Sequence, residues 1–351
     1  MPQHGGMHIA IASDAWSPQI NGVVNTLKQT REQLLAEGYE VLMITPEGRR
    51  TFPCPTYPEI RLAFFQGRKI ARELDAFRPD CIHIATEGII GLAVRRYCRK
   101  RGYPFTTAYH TQFPEYVRAR APIPVSWTVA LLRWFHRPAA RILVATNSIR
   151  NLLERRGFRN VVIWTRGVDT AVFTTGNAHD YELPRPIWIS VGRVSVEKNI
   201  EEFLNLRLPG SKVVIGDGPD RVRLKQAYPE CHFPGYRFGA ELAAHLAGAD
   251  VFVFPSKTDT FGLVMLEAMA CGIPVAALPV TGPIDVVQHG VTGVLNHDLE
   301  KACIEALRID RQACRNHALS RSWSRATQQF LSQLVRIDCE QDGSRLPQTV
   351  R

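Results

Sequence analysis

The run Val251-Phe252-Val253-Phe254-Pro255, followed by Asp259-Thr260-Phe261-Gly262-Leu263-Val264-Met265-Leu266-Glu267-Ala268-Met269-Ala270-Cys271-Gly272-Ile273-Pro274-Val275, sets the fold class. Its first five residues are a continuous apolar stretch of strand length, and residues from about 262 to 270 read as a helix closed by Gly272. Residues 275–276 return to strand. A buried strand joined to the next through a helix is the repeating unit of a parallel sheet covered on both faces.

The same alternation runs along the chain in two series. The first places strands at 8–13, 39–45, 81–85, 105–110, 141–146 and 161–164, with Val23, Val24, Leu27, Leu34 and Leu35 marking the apolar face of the helix between the first two. The second places them at 187–191, 212–215, 232–233, 250–254 and 275–276. Between the series, residues 166–186 are rich in Gly, Asp, Thr and Pro and read as a hinge. At 351 residues the chain exceeds what one core usually serves, so two α/β domains of the doubly wound, Rossmann-like kind are expected. They span 1–168 and 169–321, with a last helix at about 322–337 packing back on the first domain and a disordered tail at 341–351.

The composition, 45% hydrophobic and 22% charged, is that of an ordinary globular protein. No apolar run reaches the roughly 18 residues that span a bilayer, and Met1 to Gly6 lack a signal-peptide core, so a cytoplasmic location is expected. Cys54, Cys81, Cys98, Cys231, Cys271, Cys303, Cys314 and Cys339 form no C-x-x-C pair, which suggests neither zinc nor a disulfide framework. Much of the net charge of +10 lies between Arg95 and Arg159, threaded by Trp127, Val129, Leu131, Leu132, Trp134 and Phe135. A basic helix carrying tryptophans suits an anionic lipid surface. Nucleic acid also answers to such charge, and so does a set of solvated faces whose tryptophans pack inward.

Doubly wound domains bind ligands at the carboxyl ends of their strands. Asp259 falls in such a loop, and the N–H groups of Phe261, Gly262 and Leu263 open the helix that follows, a ready place for a phosphate. Glu267 stands about 7 Å further along the axis at 1.5 Å per residue, within reach of a ribose. Arg193 and Lys198 follow another strand in Gly192-Arg193-Val194-Ser195-Val196-Glu197-Lys198, two cations suited to phosphate oxygens. Gly216-Asp217-Gly218-Pro219 and Thr281-Gly282-Pro283 are further strand-edge turns, and Tyr236 offers an aromatic face to a base. In the first domain, Asn21-Gly22 opens a helix and His110 ends a strand. Taken singly, each also reads as a cap, a turn or a solvated charge.

Taken in order, Gly192-Arg193 with Lys198-Asn199, Gly216-Asp217-Gly218-Pro219, Asp259-x7-Glu267 with Gly272-x-Pro274, Gly282-Pro283 and Gly290-Val291-Thr292-Gly293 resemble family four of the retaining glycosyltransferases, which have the GT-B fold. Asn21-Gly22-Val23 and His110 extend the resemblance into the first domain. It implies that Arg193 and Lys198 hold the donor diphosphate, that Glu267 binds the ribose, and that Asp259 contacts the transferred sugar. It further implies support from Phe261, Gly262 and Leu263, a close approach at Gly22, and His110 beside the reacting carbon; Gly218 and Tyr236 complete the donor set. The family usually has glutamate where Asp259 stands, one methylene longer.

Asp14-Ala15-Trp16-x-Pro18-x-x-Asn21-Gly22 and His83-x-x-Thr86-Glu87-Gly88 are similar to a branch of diacylglycerol glycosyltransferases, sulfolipid synthases and mannosyltransferases. That similarity implies a UDP-glucose, UDP-glucuronate or GDP-mannose donor and a lipid or glycan acceptor near Asp14, Glu87 and His110. It also implies no metal or other cofactor, no nucleic acid partner, and peripheral attachment to the inner face of the cytoplasmic membrane. An epimerase shares the architecture but not the Asp259 to Glu267 pattern. A dinucleotide oxidoreductase would need G-x-G-x-x-G after the first strand, where only Asn21-Gly22 stands. A non-catalytic nucleotide-sugar sensor would keep the binding residues alone.

Overall fold

The computed structural model describes residues 6–19, 21–54, 57–64, 66–112 and 124–337. The expected disordered tail at 341–351 lies outside the described residues.

The first domain holds β1 (His8–Ala12), α1 (Gly22–Ala36), β2 (Glu40–Ile44), β3 (Thr51–Cys54), β4 (Tyr57–Ala63), α2 (Gly67–Phe77), β5 (Cys81–Ile84), α3 (Ile89–Arg101), β6 (Thr106–Tyr109), α4 (Val125–His136), β7 (Arg141–Val144), α5 (Asn147–Arg155) and β8 (Val161–Ile163). Six of its strands form one parallel sheet in the order β2-β1-β5-β6-β7-β8. Strands β3 and β4 form a separate antiparallel hairpin that the alternating pattern did not announce.

The second domain holds β9 (Ile187–Val191), α6 (Ile200–Leu204), β10 (Ser211–Ile215), α7 (Arg221–Ala227), β11 (His232–Gly235), α8 (Gly239–Ala247), β12 (Val251–Phe254), α9 (Leu263–Ala270), β13 (Val275–Ala277), α10 (Pro283–Val286), β14 (Gly293–Leu295), α11 (Leu299–Ala306) and α12 (Arg311–Leu319). A final helix, α13 (Trp323–Gln333), follows. The second sheet is parallel in the order β11-β10-β9-β12-β13-β14, with β14 an edge strand beyond those read from the sequence. Its order reverses between β9 and β12, and that of the first sheet between β1 and β5.

Each central strand is buried on both faces, with the period of two that a covered sheet requires. Ile9 and Ile11 pack with Leu27, Leu34, Trp164 and Phe330, whereas Ala10 and Ala12 pack on the other side with Ile82, Ile90 and Val94. In β12, Phe252 and Phe254 face one core while Val251 and Val253 face the other.

The connection between the domains is narrower than residues 166–186. Phe173 is already part of the second core, Arg315 donates to the carbonyls of Thr170 and Phe173, and His179 N donates to Ala244 O. What remains is a short crossing at 166–168, lying against the returning chain: Val168 N donates to Arg321 O at 2.8 Å, and a Cβ on Gly167 would sit 2.4 Å from Trp323 N. Helix α13 packs on the first domain, where the Phe330 ring lies 4.7 Å from Trp164 and 5.0 Å from His83.

Candidate active site

The switch point of the second sheet brings together the loops after β9 and β12, which carry Arg193, Lys198 and Asp259. Lys198 Nζ meets Asp259 Oδ1 at 2.6 Å. The two loops are tied further by Asn199, whose Nδ2 donates to Pro255 O at 3.2 Å, and by the hydroxyls of Ser256 and Thr258, each 3.4 Å from Glu197 O. Asp259 Oδ2 is buried and has no hydrogen-bond partner among the described residues.

Gly262 is the N-cap of α9 at φ 83°, so the helix proper starts at Leu263, one residue later than the sequence reading. The glycine is required as much by packing as by access: a Cβ there would lie 2.9 Å from Phe254 Cζ. Phe261 is buried in the second core. Among the described residues the N–H groups of Gly262 and Leu263 have no protein acceptor, so the helix mouth beside Lys198 and Asp259 is open to an anion. Glu267, further along α9, is half-buried rather than solvated, and burial pushes its carboxyl up to about 7. Gly218 is pressed against Val194, where a Cβ would come 2.3 Å from the carbonyl oxygen. Tyr236 lies at the end of β11, exposed and stacked on Phe238 at 5.5 Å.

The switch point of the first sheet joins the loops after β1 and β5. Asp14, expected to meet the acceptor, is 7% exposed and works as the cap of α3. Its carboxylate accepts from Ile90 N at 2.9 Å, Gly91 N at 3.2 Å and Thr86 Oγ1 at 3.0 Å. A Cβ on Gly88 would stand 2.3 Å from Asp14 Cγ, so Asp14 and Thr86-Glu87-Gly88 are two halves of one cap. Burial, opposed by those hydrogen bonds, holds the Asp14 carboxyl above the usual range. Glu87 keeps its side chain partly open and binds His136 Nε2 through Oε1 at 3.2 Å. The buried His136 ring is fixed from its other side by Thr107 Oγ1 at 2.8 Å. Asn21 caps α1 by accepting from Val23 N and Val24 N, which removes those two donors from anion binding.

The two halves touch. Thr260 Oγ1 donates to His110 O at 2.7 Å and Gln112 Nε2 to Thr258 O at 3.2 Å. A Cβ on Gly22 would lie 3.6 Å from Leu263 Cδ1, so the first-domain loop meets the start of α9. His110 stands 3.0 Å through Nδ1 from Arg166 Nη2, and its Nε2 is buried without a partner among the described residues. Burial, the Arg166 cation and His83 together drive His110 well below the ordinary histidine value. Neither the cross-cleft role of Gln112 and Thr260 nor that of Arg166 had a signal in the sequence beyond a position at a strand edge or hinge.

Helix α4 settles the fate of the tryptophans. Thr128, Leu132, Phe135 and His136 face the core, while Trp127, Leu131 and Trp134 are 73%, 57% and 51% exposed. Of the alternatives that the composition left open, inward packing of these tryptophans does not hold: a helix has one inward stripe, and here the i, i+4, i+7 set points out. Arg133 and Arg137 flank that stripe, and Arg95 of α3 stacks over Trp134 at 4.1 Å. No helix among the described residues is long and apolar enough to cross a membrane.

Residues 20–172 match the family described as Glycosyltransferase Family 4, and residues 185–309 that described as Glycosyl transferases group 1. The chain is 32% identical to a GDP-mannose-dependent alpha-mannosyltransferase of Mycobacterium tuberculosis, over 91% of this chain and 93% of the other. It is 31% identical to a sulfoquinovosyl transferase of Arabidopsis thaliana over 82% of this chain and 63% of that one. An alpha-monoglucosyldiacylglycerol synthase of Streptococcus pneumoniae is 27% identical over 90% and 81% of the two chains. Among solved structures, a sucrose-phosphate synthase of Thermosynechococcus elongatus superposes with a TM-score of 0.76 at 20% identity, covering 93% of this chain and 98% of the other, and gives the GT-B fold. With both domains matched, the loops after β9 and β12 facing the first domain across a touching cleft, and relatives spanning the chain, the protein belongs to glycosyltransferase family 4 and is a hexosyltransferase that uses a nucleotide sugar.

Proposed function

We propose that the chain transfers mannose, with retention of configuration, from GDP-mannose to a hydroxyl group of a membrane lipid. One observation carries the sugar-transfer part of this reading: Asp259 Oδ2 and His110 Nε2, both buried and without a partner among the described residues, lie on loops that touch across the cleft beside the open helix mouth. Buried polar atoms normally have partners, and sugar hydroxyls supply them, donating to the carboxylate and accepting from the imidazole.

As the sugar–phosphate bond breaks, negative charge gathers on the leaving diphosphate. Arg193, Lys198 and the N-terminus of α9 answer that charge, so the transfer needs no metal. The acceptor hydroxyl approaches the face that the diphosphate vacates, and a phosphate oxygen takes its proton. The touching loops keep water from competing. Glu267 holds the ribose, and Glu87, oriented by His136, receives the acceptor.

GDP-mannose is favoured by relatives named for it. The lipid acceptor is favoured by the diacylglycerol in another relative's name and by the outward stripe of α4 with its arginines, which suits peripheral attachment to an anionic membrane surface. The test is a panel of labelled GDP-mannose, UDP-glucose and UDP-glucuronate, each incubated with the chain and a lipid extract. Label should enter the organic phase from GDP-mannose. Transfer from a UDP-sugar alone would overturn the donor, and a water-soluble product alone would overturn the acceptor.

A further inference from the structure

The Arg166 side chain is the starting point. It is 4% exposed, its Nη1 donates to Trp164 O at 2.5 Å and Thr165 O at 3.1 Å, and its guanidinium lies over the Trp164 ring at 4.5 Å. Held at these points, it turns Nη2 toward His110 Nδ1 at 3.0 Å. A guanidinium has donors and no acceptor. Nδ1 must therefore be the acceptor, and the imidazole proton must sit on Nε2.

We propose that Arg166 is a positioning residue that locks His110 as the neutral Nε2–H tautomer, so that His110 serves the transfer only as a hydrogen-bond donor and never as a base. The orphaned Nε2–H is then the one group of this ring left for a ligand, and an oxygen of the sugar being moved has the matching lone pair. A neutral ring adds no positive charge where the sugar carbon itself becomes positive. The lock is reinforced by its surroundings. The groups that act on His110 are Arg166, from the crossing, and His83, from β5. His83 is itself buried and held neutral, down at about 3, with Nδ1 bonded to Thr106 Oγ1 at 2.8 Å. Among the described residues no carboxylate acts on the ring to favour its cation. Because Arg166 belongs to the short crossing between domains, the orientation of His110 is set by the same segment that joins the two halves.

This inference rests on the cleft being a sugar-transfer site, but its first test does not need turnover. In the full chain labelled with 15N-histidine, the ring resonances lost in His110→Gln identify His110. They should show an Nε2-protonated neutral ring that does not titrate between pH 8 and 5. A proton on Nδ1, or titration near the ordinary value of about 6.5, overturns the proposal whatever the donor proves to be. The second test is the pH dependence of transfer. The native chain should change less than about twofold between pH 7.5 and 5.5, and Arg166→Met, in which His110 stays buried but loses the cation and the donor on Nδ1, should lose more activity over that range than Arg166→Lys. An Arg166→Met chain with a lower melting temperature but a flat profile would make Arg166 structural only and would overturn the positioning role.

Discussion

Lys198 Nζ and Asp259 Oδ1 stand 2.6 Å apart, with side chains 25% and 15% exposed, so the loops after β9 and β12 are fastened to each other before any ligand arrives. The carboxylate expected to read the sugar thus also aims the cation expected to hold the phosphate. A shorter acid than the family's usual glutamate still makes that contact.

Replacing either cation should therefore hurt in different ways. Lys198→Ala and Arg193→Ala should each lower transfer by at least about tenfold, or roughly 1.4 kcal/mol of barrier. Lys198→Ala should in addition perturb Asp259, so the double variant Lys198→Ala/Asp259→Ala should lose less than the sum of the singles. Strict additivity in steady-state rates would contradict the coupling. Chelation with EDTA should leave the native rate unchanged.

Glu267 gives a pH signature. Its carboxyl is raised from 4.5 to about 7 by burial, so the folded chain holds a proton that the unfolded chain has released, and stability falls as pH rises from about 4.5 through 7. Glu267→Gln removes that cost. It should raise the melting temperature at pH 8, by on the order of 1–3 kcal/mol of stability, change little at pH 4.5, and weaken nucleotide binding. Equal shifts at both pH values would refute the burial argument.

Asp14 should behave as a cap. Asp14→Ala leaves the Ile90 and Gly91 N–H groups without their acceptor and should cost about 1–2 kcal/mol in denaturant unfolding. Gly88→Ala should do the same from the other side, because its methyl would meet the Asp14 carboxylate. Donor affinity of the folded fraction should be unchanged; a selective loss of acceptor use in Asp14→Ala would show that it contacts the acceptor as well.

The outward stripe of α4 makes a separable prediction. Trp127→Ser/Leu131→Ser/Trp134→Ser should leave the melting temperature within about 1–2 °C and reduce flotation with phosphatidylglycerol vesicles at low salt by at least about tenfold. Undiminished flotation would remove α4 from the membrane reading.

Most of the architecture was legible because both faces of each central strand are buried, which writes runs such as Ile9 to Ala12 and Val251 to Phe254 as apolar blocks. The meeting of the loops that carry Arg193, Lys198 and Asp259 was legible because these residues are close in sequence to a strand end. What escaped depends on distance. Thr258 and Thr260 are ordinary loop residues until Gln112 and His110 arrive from the other domain. That Asp14, expected near the acceptor, also caps α3 is visible only once its steric fit to Gly88 is seen. The α4 tryptophans stayed open between exposed and buried readings for another reason: apolar residues at i, i+4, i+7 mark a face without saying which way it turns.

The crossing at Val168 and Arg321 carries one more implication. Because Phe330 fills the space beside Trp164 and His83, the first domain is closed by residues that the ribosome makes only after the whole second domain. The amino-terminal half is therefore incomplete as a folding unit until the second domain has emerged. Severing the chain near residue 168 would yield two pieces of which the first lacks its own stopper.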